Sequence, residues 1–215
     1  MDKDYIKGIE GAERRYAVAD MKVEKRAATD DAPEAFVVRG YAAIFNSPTT
    51  IGMWFREVIM PGAFDDVLTG DTCALFNHDP NKILARTTSK TLEIGVDTKG
   101  LWYEYTTPNR SYAIDLADAI ERGDVSQSSF AFRAKETVWR EVQDELDLRE
   151  IVKVETLYDV SPVTYPAYAD TSVGKRTWEA REAAEKQKDI DAQQRTNDKG
   201  LTVYEAQVII NKNKQ

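Results

Sequence analysis

The chain has 215 residues, of which 42% are hydrophobic and 10% aromatic, so it can bury one core of ordinary size and still have tails. Its formal net charge of −8 argues against a general nucleic-acid binder, because neutralising phosphates requires clustered Lys and Arg. One cysteine and one histidine exclude an intramolecular disulfide and disfavour a zinc hydrolase, which needs several such ligands.

Targeting and nucleotide-binding patterns are also missing. No apolar run approaches the roughly 18 residues of a membrane span, and the first residues lack the apolar core of a signal peptide. No GxxxxGK[ST] or GxGxxG stretch supports nucleotide binding. We therefore expect a soluble intracellular protein without a membrane partner.

Most of the predicted elements are strands. A charged lead, residues 1–13, is predicted to be flexible, and residues 27–35 and 46–52 are predicted loops. Strand segments are rich in β-branched and aromatic residues or alternate between apolar and polar positions. In chain order the predicted strands are residues 14–25, 36–45, 54–60, 73–76, 91–97, 101–107, 125–142 and 150–163. The turn at 98–100, with its late glycine, predicts a hairpin.

Two helices are predicted within this strand-rich part. Pro61 suits the first turn of a short helix over residues 62–68. Residues 111–122 are the clearest helix, with Ser111 as a candidate cap and Gly123 as its terminator. The predicted apolar stripe of this helix consists of Ile114, Leu116, Ala117 and Ile120.

The composition changes after about Val173. Residues 178–195 favour a helix with almost no apolar stripe, so this helix is expected to be solvated or to need a partner. We expect a lead (1–13), a body (14–173) and a polar, partly helical tail (174–215). The body is predicted to be mainly β with flanking helices (α+β), as a barrel or a sandwich with helices packed outside.

His78 and Ser129 are the candidate base and nucleophile. His78 follows the apolar segment 73–76 and has polar neighbours, so we expect it at a rim that solvent and substrate can reach. A lone histidine there is more often structural than functional. Ser129 begins an alternating strand and points away from Phe130 and Phe132, which would anchor the opposite face. Serine is a weak nucleophile unless a base lies within hydrogen-bond reach.

The remaining choices stay open on the residues alone. Ser126 and Ser128 lie in the same turn, where serines are common for structural reasons. A triad needs a carboxylate that orients the histidine, and Asp159 near a strand end is the candidate, with Glu155 in reserve. Cys73 is an alternative nucleophile, but a small buried thiol is the commoner role of such a residue.

Five segments together carry a family resemblance. In chain order they are VRGYAAIFN (38–46), FREVIMPGAFDDVL (55–68), LFNHDPNKILART (75–87), RGDVSQSSFAFRA (122–134) and LYDVSPVTYPAYADT (157–171). These segments resemble the conserved blocks of the HK97-type caudovirus prohead protease family, in the family's order. The second segment is the most specific match, to an R-E-x-I-x-P-G-A-F block. The third and fourth resemble the blocks that contain the family's catalytic histidine and serine.

The resemblance implies site residues position by position. His78 matches the catalytic histidine and Ser129 matches the nucleophile. Ser128 stands where the family commonly has a small hydrophobic residue, and Ala131 stands where glycine is frequent. Asp159 corresponds to the strand-end residue that supports the histidine in this family and in its herpesvirus assemblin relatives. Glu155 remains the reserve.

The resemblance also implies a fold and a role. The implied fold is a small closed β-barrel of the herpesvirus-assemblin type, wrapped by helices. The implied activity is that of a serine endopeptidase without metal or organic cofactor, acting inside the immature viral prohead in the host cytoplasm. Its implied substrates are the capsid scaffold or the scaffold-like arm of the major capsid protein, and the protease itself. A homodimer is a further expectation, since the assemblin relatives are activated by dimerisation; no specific nucleic-acid partner is expected. Oxyanion donors are expected near residues 163–167.

Two other functions remain as alternatives. A non-catalytic capsid assembly or scaffold-binding factor on the same fold would not need to keep His78 and Ser129. An unrelated esterase would predict a G-x-S-x-G motif, which the sequence lacks. The tail is expected to be a targeting or scaffold-binding helix, a segment lost in self-cleavage, or disordered.

Overall fold

The chain divides into two compact units, residues up to Gly174 and residues from Lys175 onward. The computed structural model describes residues 5–17, 21–27, 35–165 and 171–212.

The described part of the first unit consists mostly of strands. Its strands are β1 (Ala12–Ala17), β2 (Lys22–Arg26), β3 (Ala35–Ile44), β4 (Thr49–Ile51), β5 (Phe55–Ile59), β6 (Cys73–Leu75), β7 (Ile83–Arg86), β8 (Leu92–Val96), β9 (Gly100–Thr106), β10 (Gln127–Arg140) and β11 (Leu148–Val163). The helical elements among the described residues are a 3-10 helix (Tyr5–Gly8), α1 (Ser111–Glu121) and α2 (Thr171–Lys212).

The N-terminal region differs from the prediction in two ways. Residues 5–13, predicted as part of a flexible lead, form the 3-10 helix and the start of β1, with Ile6 and Glu13 buried. The single strand predicted at 14–25 is two strands, β1 and β2, which belong to different sheets. Residues 18–20 between them, and most of the predicted loop at 27–35, lie outside the described residues.

Within the described residues the strands form two sheets. The larger has the order β1-β10-β11-β5-β4, with β6 pairing with β11 and β7 pairing with β6. The smaller has the order β2-β3-β9-β8 and contains the predicted hairpin, in which Leu92 pairs with Tyr105 and Val96 with Leu101. The two long strands β10 and β11 run antiparallel and form the centre of the larger sheet. Side chains on these two strands, Ser129 on β10 and Asp159 on β11 among them, are therefore held in the middle of the sheet.

The predicted closed barrel is wrong for the part of the chain that the structure describes. Closure requires every edge strand to pair with another strand. Here β1 and β4 are edges of the main path of the larger sheet, whereas β2 and β8 are edges of the smaller one. Only an isolated bridge between Phe45 and Ile59 joins the sheets in these ranges, so the architecture is mainly β with two open sheets.

One hydrophobic core lies under both sheets. It includes Phe130 and Phe132 from β10, Tyr103 from β9 and Phe64 from the loop after β5. Phe64 packs edge-on against Phe130, with ring centroids 5.8 Å apart. Because the Phe130 and Phe132 side chains are packed in the core, the residues between and beside them, including Ser129, point to the opposite face of β10.

The short helix predicted over 62–68 is absent and replaced by consecutive turns. Gly62 has a φ of +85°, which a right-handed helix does not allow. The backbone bonds there are separate i→i+3 contacts, such as Ala63 N to Met60 O and Val67 N to Phe64 O. The turns still bury Ala63 and Phe64 completely. The apolar residues of this segment therefore indicate burial in the core and not a helix.

Helix α1 agrees with the prediction in extent but not in detail. It packs against β2 and β3 and buries Ala113, Leu116, Ala117 and Ile120. Ile114, which the predicted stripe included, is 41% exposed. The cap position is Arg110 rather than Ser111, with no side-chain capping bond. Gly123, with a φ of +83°, ends the helix as predicted.

Helix α2 is polar all round where its side chains are described, residues 174–195. Exposed pairs one turn apart, such as Lys175 with Glu179, lie on its surface. Such pairs are typical of a solvated helix. None of the described helices is long and apolar enough to cross a membrane.

Candidate active site

His78 lies just after β6, in a backbone conformation that few residues adopt. Asn77 and His78 both have left-handed φ values, 55° and 56°. Residues other than glycine adopt this region at some energetic cost, and asparagine and histidine do so more often than most. Asn77 holds the turn against the end of β11. Its backbone N–H donates to Pro162 O (3.0 Å), and its side-chain oxygen accepts from Thr164 N (2.9 Å). The strained turn is thereby anchored on the strand that also contains Asp159.

Ser129 and Ser128 point to opposite faces of β10, as alternation along a strand requires. The Ser128 hydroxyl faces the smaller sheet and lies 2.8 Å from the hydroxyl of Tyr103. The Ser129 Oγ lies 2.6 Å from His78 Nε2. Of these two neighbouring serines, Ser129 is therefore the one in contact with the histidine.

Asp159 completes a continuous hydrogen-bonded chain. Its Oδ1 lies 2.7 Å from His78 Nδ1 and accepts a second bond from Ser161 Oγ (2.6 Å). The Tyr5 hydroxyl donates to the other oxygen, Oδ2. Because a carboxylate can only accept, Nδ1 must carry the imidazole proton, which leaves Nε2 free to accept from Ser129.

The site is buried. Ser129 and Asp159 have no exposed surface, and His78 is 5% exposed. Burial by itself would raise the pKa of Asp159, but the charge that His78 can carry and the bonds from His78, Ser161 and Tyr5 outweigh it and lower that pKa. Asp159 is therefore ionised around neutral pH and can stabilise a positive charge on His78.

A bulge in β11 aligns these groups. Along the β10–β11 ladder, Ala131 pairs with Asp159 but Phe132 pairs with Leu157, so Tyr158 is an extra residue on β11. Strict alternation would place Tyr158 on the same face as Val154 and Val160. The bulge instead puts Leu157 and Val160 in the core and leaves Tyr158 half-buried, while Asp159 lies on the face of Ser129.

The other candidates are elsewhere. Glu155 forms an ion pair with Arg133 (2.6 Å), with about half of its side chain exposed. Cys73 is half-buried, and burial raises the pKa of its thiol, which disfavours the reactive thiolate. In the region where oxyanion donors were expected, residues 166–167 lie outside the described residues. Thr164 N already donates to Asn77.

Sequence reasoning missed several contacts of the site. Ser161 could have been found, because a residue two positions after Asp159 on a strand shares its face. Tyr5 is 154 residues from Asp159 and gave no signal. The backbone oxygen of Arg15, a second acceptor that lies 2.9 Å from Ser129 Oγ and competes with His78 Nε2 for its proton, was equally unforeseeable.

Parts of this chain are similar to known proteins. The chain matches the family described as caudovirus prohead serine protease over residues 21–187. It is 30% identical over 136 residues to the prohead protease of Enterobacteria phage HK97, covering 61% of this chain and 56% of that relative. The solved structure of the bacteriophage T4 capsid assembly protease gp21 aligns with 71% of this chain and 96% of that one, at 9% identity and a TM-score of 0.45. On the extent of the family match, the chain belongs to the caudovirus prohead serine protease family.

Proposed function

We propose that this chain is a serine endopeptidase of viral capsid maturation, with Ser129 as nucleophile, His78 as general base and Asp159 as the group that orients His78. The observation that carries the proposal is the unbroken series of hydrogen bonds from Ser129 Oγ through both nitrogens of His78 to Asp159. Family membership supports the same conclusion, since the family's description is that of a prohead serine protease.

In the proposed reaction, Ser129 Oγ attacks the carbonyl carbon of the scissile peptide bond while its proton passes to His78 Nε2. His78 becomes positively charged, and the buried carboxylate of Asp159, 2.7 Å from Nδ1, stabilises that charge. The proton then moves to the leaving amine, which departs and leaves an acyl-enzyme. Water, deprotonated by the same nitrogen, hydrolyses the ester and restores Ser129.

The proposed substrates are the capsid scaffold or the scaffold-like arm of the major capsid protein, and the chain itself. The HK97 relative is a prohead protease, which motivates assigning this chain to the immature prohead within the host cytoplasm. The chain spans just over half of that relative, 56% of its length. The proposal requires no metal or organic cofactor. Homodimerisation is an additional expectation that analytical ultracentrifugation would test.

Co-expression with the cognate capsid and scaffold proteins tests this function. Intact mass spectrometry should show a trimmed capsid or scaffold segment with the parent chain and with Ser128→Ala, and no trimming with Ser129→Ala. The two variants remove the same hydroxyl from adjacent buried positions, so they are matched in chemistry. Trimming by Ser129→Ala would refute the nucleophile. Absence of trimming by the parent in assembled shells would favour a non-catalytic assembly factor.

A further inference from the structure

Ser161 lies directly opposite the candidate nucleophile. Beyond the bulge at Tyr158 the β10–β11 ladder is regular again, so Ser161 on β11 pairs with Ser129 on β10. Opposed residues of an antiparallel pair point to the same face of the sheet, with Cβ atoms roughly 4.5–5.5 Å apart. Ser161 therefore shares the face of Ser129 and Asp159, and like them it has no exposed surface. A second buried hydroxyl thus adjoins the triad.

The Ser161 hydroxyl is a donor to the triad. Its Oγ lies 2.6 Å from Asp159 Oδ1, and an ionised carboxylate can only accept, so the proton belongs to Ser161. A nucleophilic serine must instead have its hydroxyl within reach of the base. That place is taken by Ser129, whose Oγ lies 2.6 Å from His78 Nε2. Ser161 is therefore not a competing nucleophile.

One carboxylate oxygen receives both of the bonds that matter here. Asp159 Oδ1 accepts from His78 Nδ1 at 2.7 Å and from Ser161 Oγ at 2.6 Å. The lone pairs of such an oxygen lie near the plane of the carboxylate, and there are two of them. Two donors on the same oxygen therefore restrict rotation of the group about its Cβ–Cγ bond. Because this torsion is broad in free aspartate, the restraint decides how Oδ1 faces the imidazole.

The two hydroxyl donors to Asp159 come from different parts of the chain. Tyr5 donates to Oδ2 from the 3-10 helix, 154 residues away in sequence. Ser161 is two positions from Asp159 on the same strand, and both residues lie within the range of the family match, residues 21–187. Strand β11 thus presents the carboxylate together with a donor that orients it.

Two other buried hydroxyls nearby have structural partners. Thr72 Oγ1 donates to the backbone oxygen of Leu157 at 3.1 Å. Ser128 Oγ lies 2.8 Å from the hydroxyl of Tyr103, on the opposite face of β10. Neither contact includes a residue of the triad. Of these three buried hydroxyls, Ser161 is the one whose bond responds to charge that develops in the triad.

The Ser161 bond also acts on the charge of the carboxylate. Burial would raise the pKa of Asp159, but the charge that His78 can carry and the bonds from His78, Ser161 and Tyr5 lower it. A donor stabilises the carboxylate most when no charged imidazole neutralises it. Ser161 therefore favours the unprotonated state of the coupled His78–Asp159 pair, and its removal should raise the pH at which this pair takes up a proton.

We propose that Ser161 is a positioning residue of the triad, whose hydroxyl holds the Asp159 carboxylate in the orientation that receives His78 Nδ1. The inference rests on the proposed protease function and adds a fourth side chain to its machinery. Ser161 does not touch the reacting atoms. It acts through Asp159, which fixes the tautomer of His78 and so keeps Nε2 open for the proton of Ser129.

Three variants of the full chain test the proposal. Ser161→Ala removes the donor, whereas Ser161→Thr keeps a hydroxyl on the same carbon in a residue that suits a strand. Ser128→Ala is the matched control, since it removes the same hydroxyl from an equally buried position on β10 that faces away from the triad. Thermal unfolding verifies that each variant is folded before its reactivity is compared.

The first readout is covalent addition of a fluorophosphonate, a serine-directed probe, over a series of concentrations and pH values. Ser161→Ala should lower the maximal rate at least about tenfold, the worth of one bond to a charged group, without changing the half-saturating concentration. Its acid limb should move to higher pH. Ser161→Thr should restore both, and Ser128→Ala should behave as the parent. A parental rate and acid limb in Ser161→Ala would overturn the proposal and leave the nucleophile intact.

The second readout needs no reaction. The chain has one histidine, so nuclear magnetic resonance of protein labelled with ¹⁵N-histidine reports His78 alone. The parent should show a proton on Nδ1, and in Ser161→Ala this proton should exchange faster with water and the tautomers should mix. Ser161→Thr should restore the parental spectrum. An unchanged spectrum in Ser161→Ala would refute the positioning role. The expected change, with no probe addition even to the parent, would support that role and contradict the proposed function.

Discussion

Two buried groups of charged and polar side chains lie on either side of β10, and they differ in balance. One group, which we call the ion-pair cluster, contains two carboxylates and two guanidinium groups that pair with one another: Glu13 and Arg15 on β1, Glu57 on β5 and Arg149 on β11. The triad contains a single carboxylate, Asp159, whose partners are an imidazole and hydroxyls. Burial of charge alone therefore does not identify a reactive site. A lone buried carboxylate hydrogen-bonded to an imidazole is poised for charge to develop beside it, whereas a balanced cluster is poised to hold strands together.

The largest expected effect is the loss of activity on substituting the carboxylate of the triad. Asp159→Asn replaces an acceptor with an amide that can donate, so His78 is expected to change tautomer and lose its free Nε2. We expect kcat/KM for peptide cleavage to fall by about 10⁴-fold. The measurement is steady-state kinetics on a cleaved capsid-derived peptide. Asp97→Asn, at an exposed carboxylate that accepts from Tyr41, is the control and should leave kcat/KM near the parental value.

The next largest effect is expected when one negative charge is removed from the ion-pair cluster. Glu57→Gln leaves Arg15 and Arg149 sharing one carboxylate, so one buried positive charge is uncompensated. The free energy of unfolding is expected to fall by about 3 kcal/mol. Glu104→Gln makes the same change in the exposed pair with Arg39, which is worth less than about 1 kcal/mol. Urea denaturation measures both, and equal losses would show that burial does not distinguish these pairs.

Acid should weaken the ion-pair cluster in a defined range. Burial would raise the pKa of Glu13, but the charges of Arg15 and Arg149 lower it from 4.5 to about 2. A carboxyl with a lowered folded-state pKa stabilises the fold above its unfolded pKa, and this contribution is lost as pH falls toward the folded value. Stability should therefore decline from about pH 4.5 to pH 2, by roughly 3 kcal/mol from Glu13. Thermal unfolding across this range should show a shallower decline in Glu13→Gln.

The smallest effect concerns the contact between the 3-10 helix at Tyr5–Gly8 and the triad. Tyr5→Phe removes one of the donors to Asp159, a bond to a charged acceptor. We expect the free energy of unfolding to fall by about 1.5 kcal/mol. Tyr112→Phe removes an exposed bond to the Ile83 carbonyl and should cost less. If denaturation curves of the two variants coincide, the Tyr5 contact contributes nothing specific to the buried site.

The site residues could be predicted from the sequence better than the fold. His78, Ser129 and Asp159 could be selected because strand alternation and short local blocks place them, and the structure brings these three side chains into contact. The turns at residues 61–70 could not be told from a helix, because both bury apolar residues with similar spacing. Strands β4 and β7, of three and four residues, are too short to show a period.

Long-range pairing explains the other misses. Whether strands close into a barrel depends on which edges meet, and composition does not encode that choice. The bulge at Tyr158 shifts the alternation of β11 by one residue, so Tyr158 and Val160 do not share a face as strict alternation would require. The covering of Ser129 by β1 joins residues more than 100 positions apart, at a separation of 114 between Arg15 and Ser129. A local pattern carries no information about such a contact.

The most direct test of the central assignment is to map where a fluorophosphonate adds covalently to the chain, by peptide mass spectrometry. We expect a single adduct on Ser129, retained in Ser128→Ala and lost in His78→Ala, because the hydroxyl needs its base. An adduct on Ser128 or on another serine, or an adduct on Ser129 that forms as fast without His78, would contradict the triad.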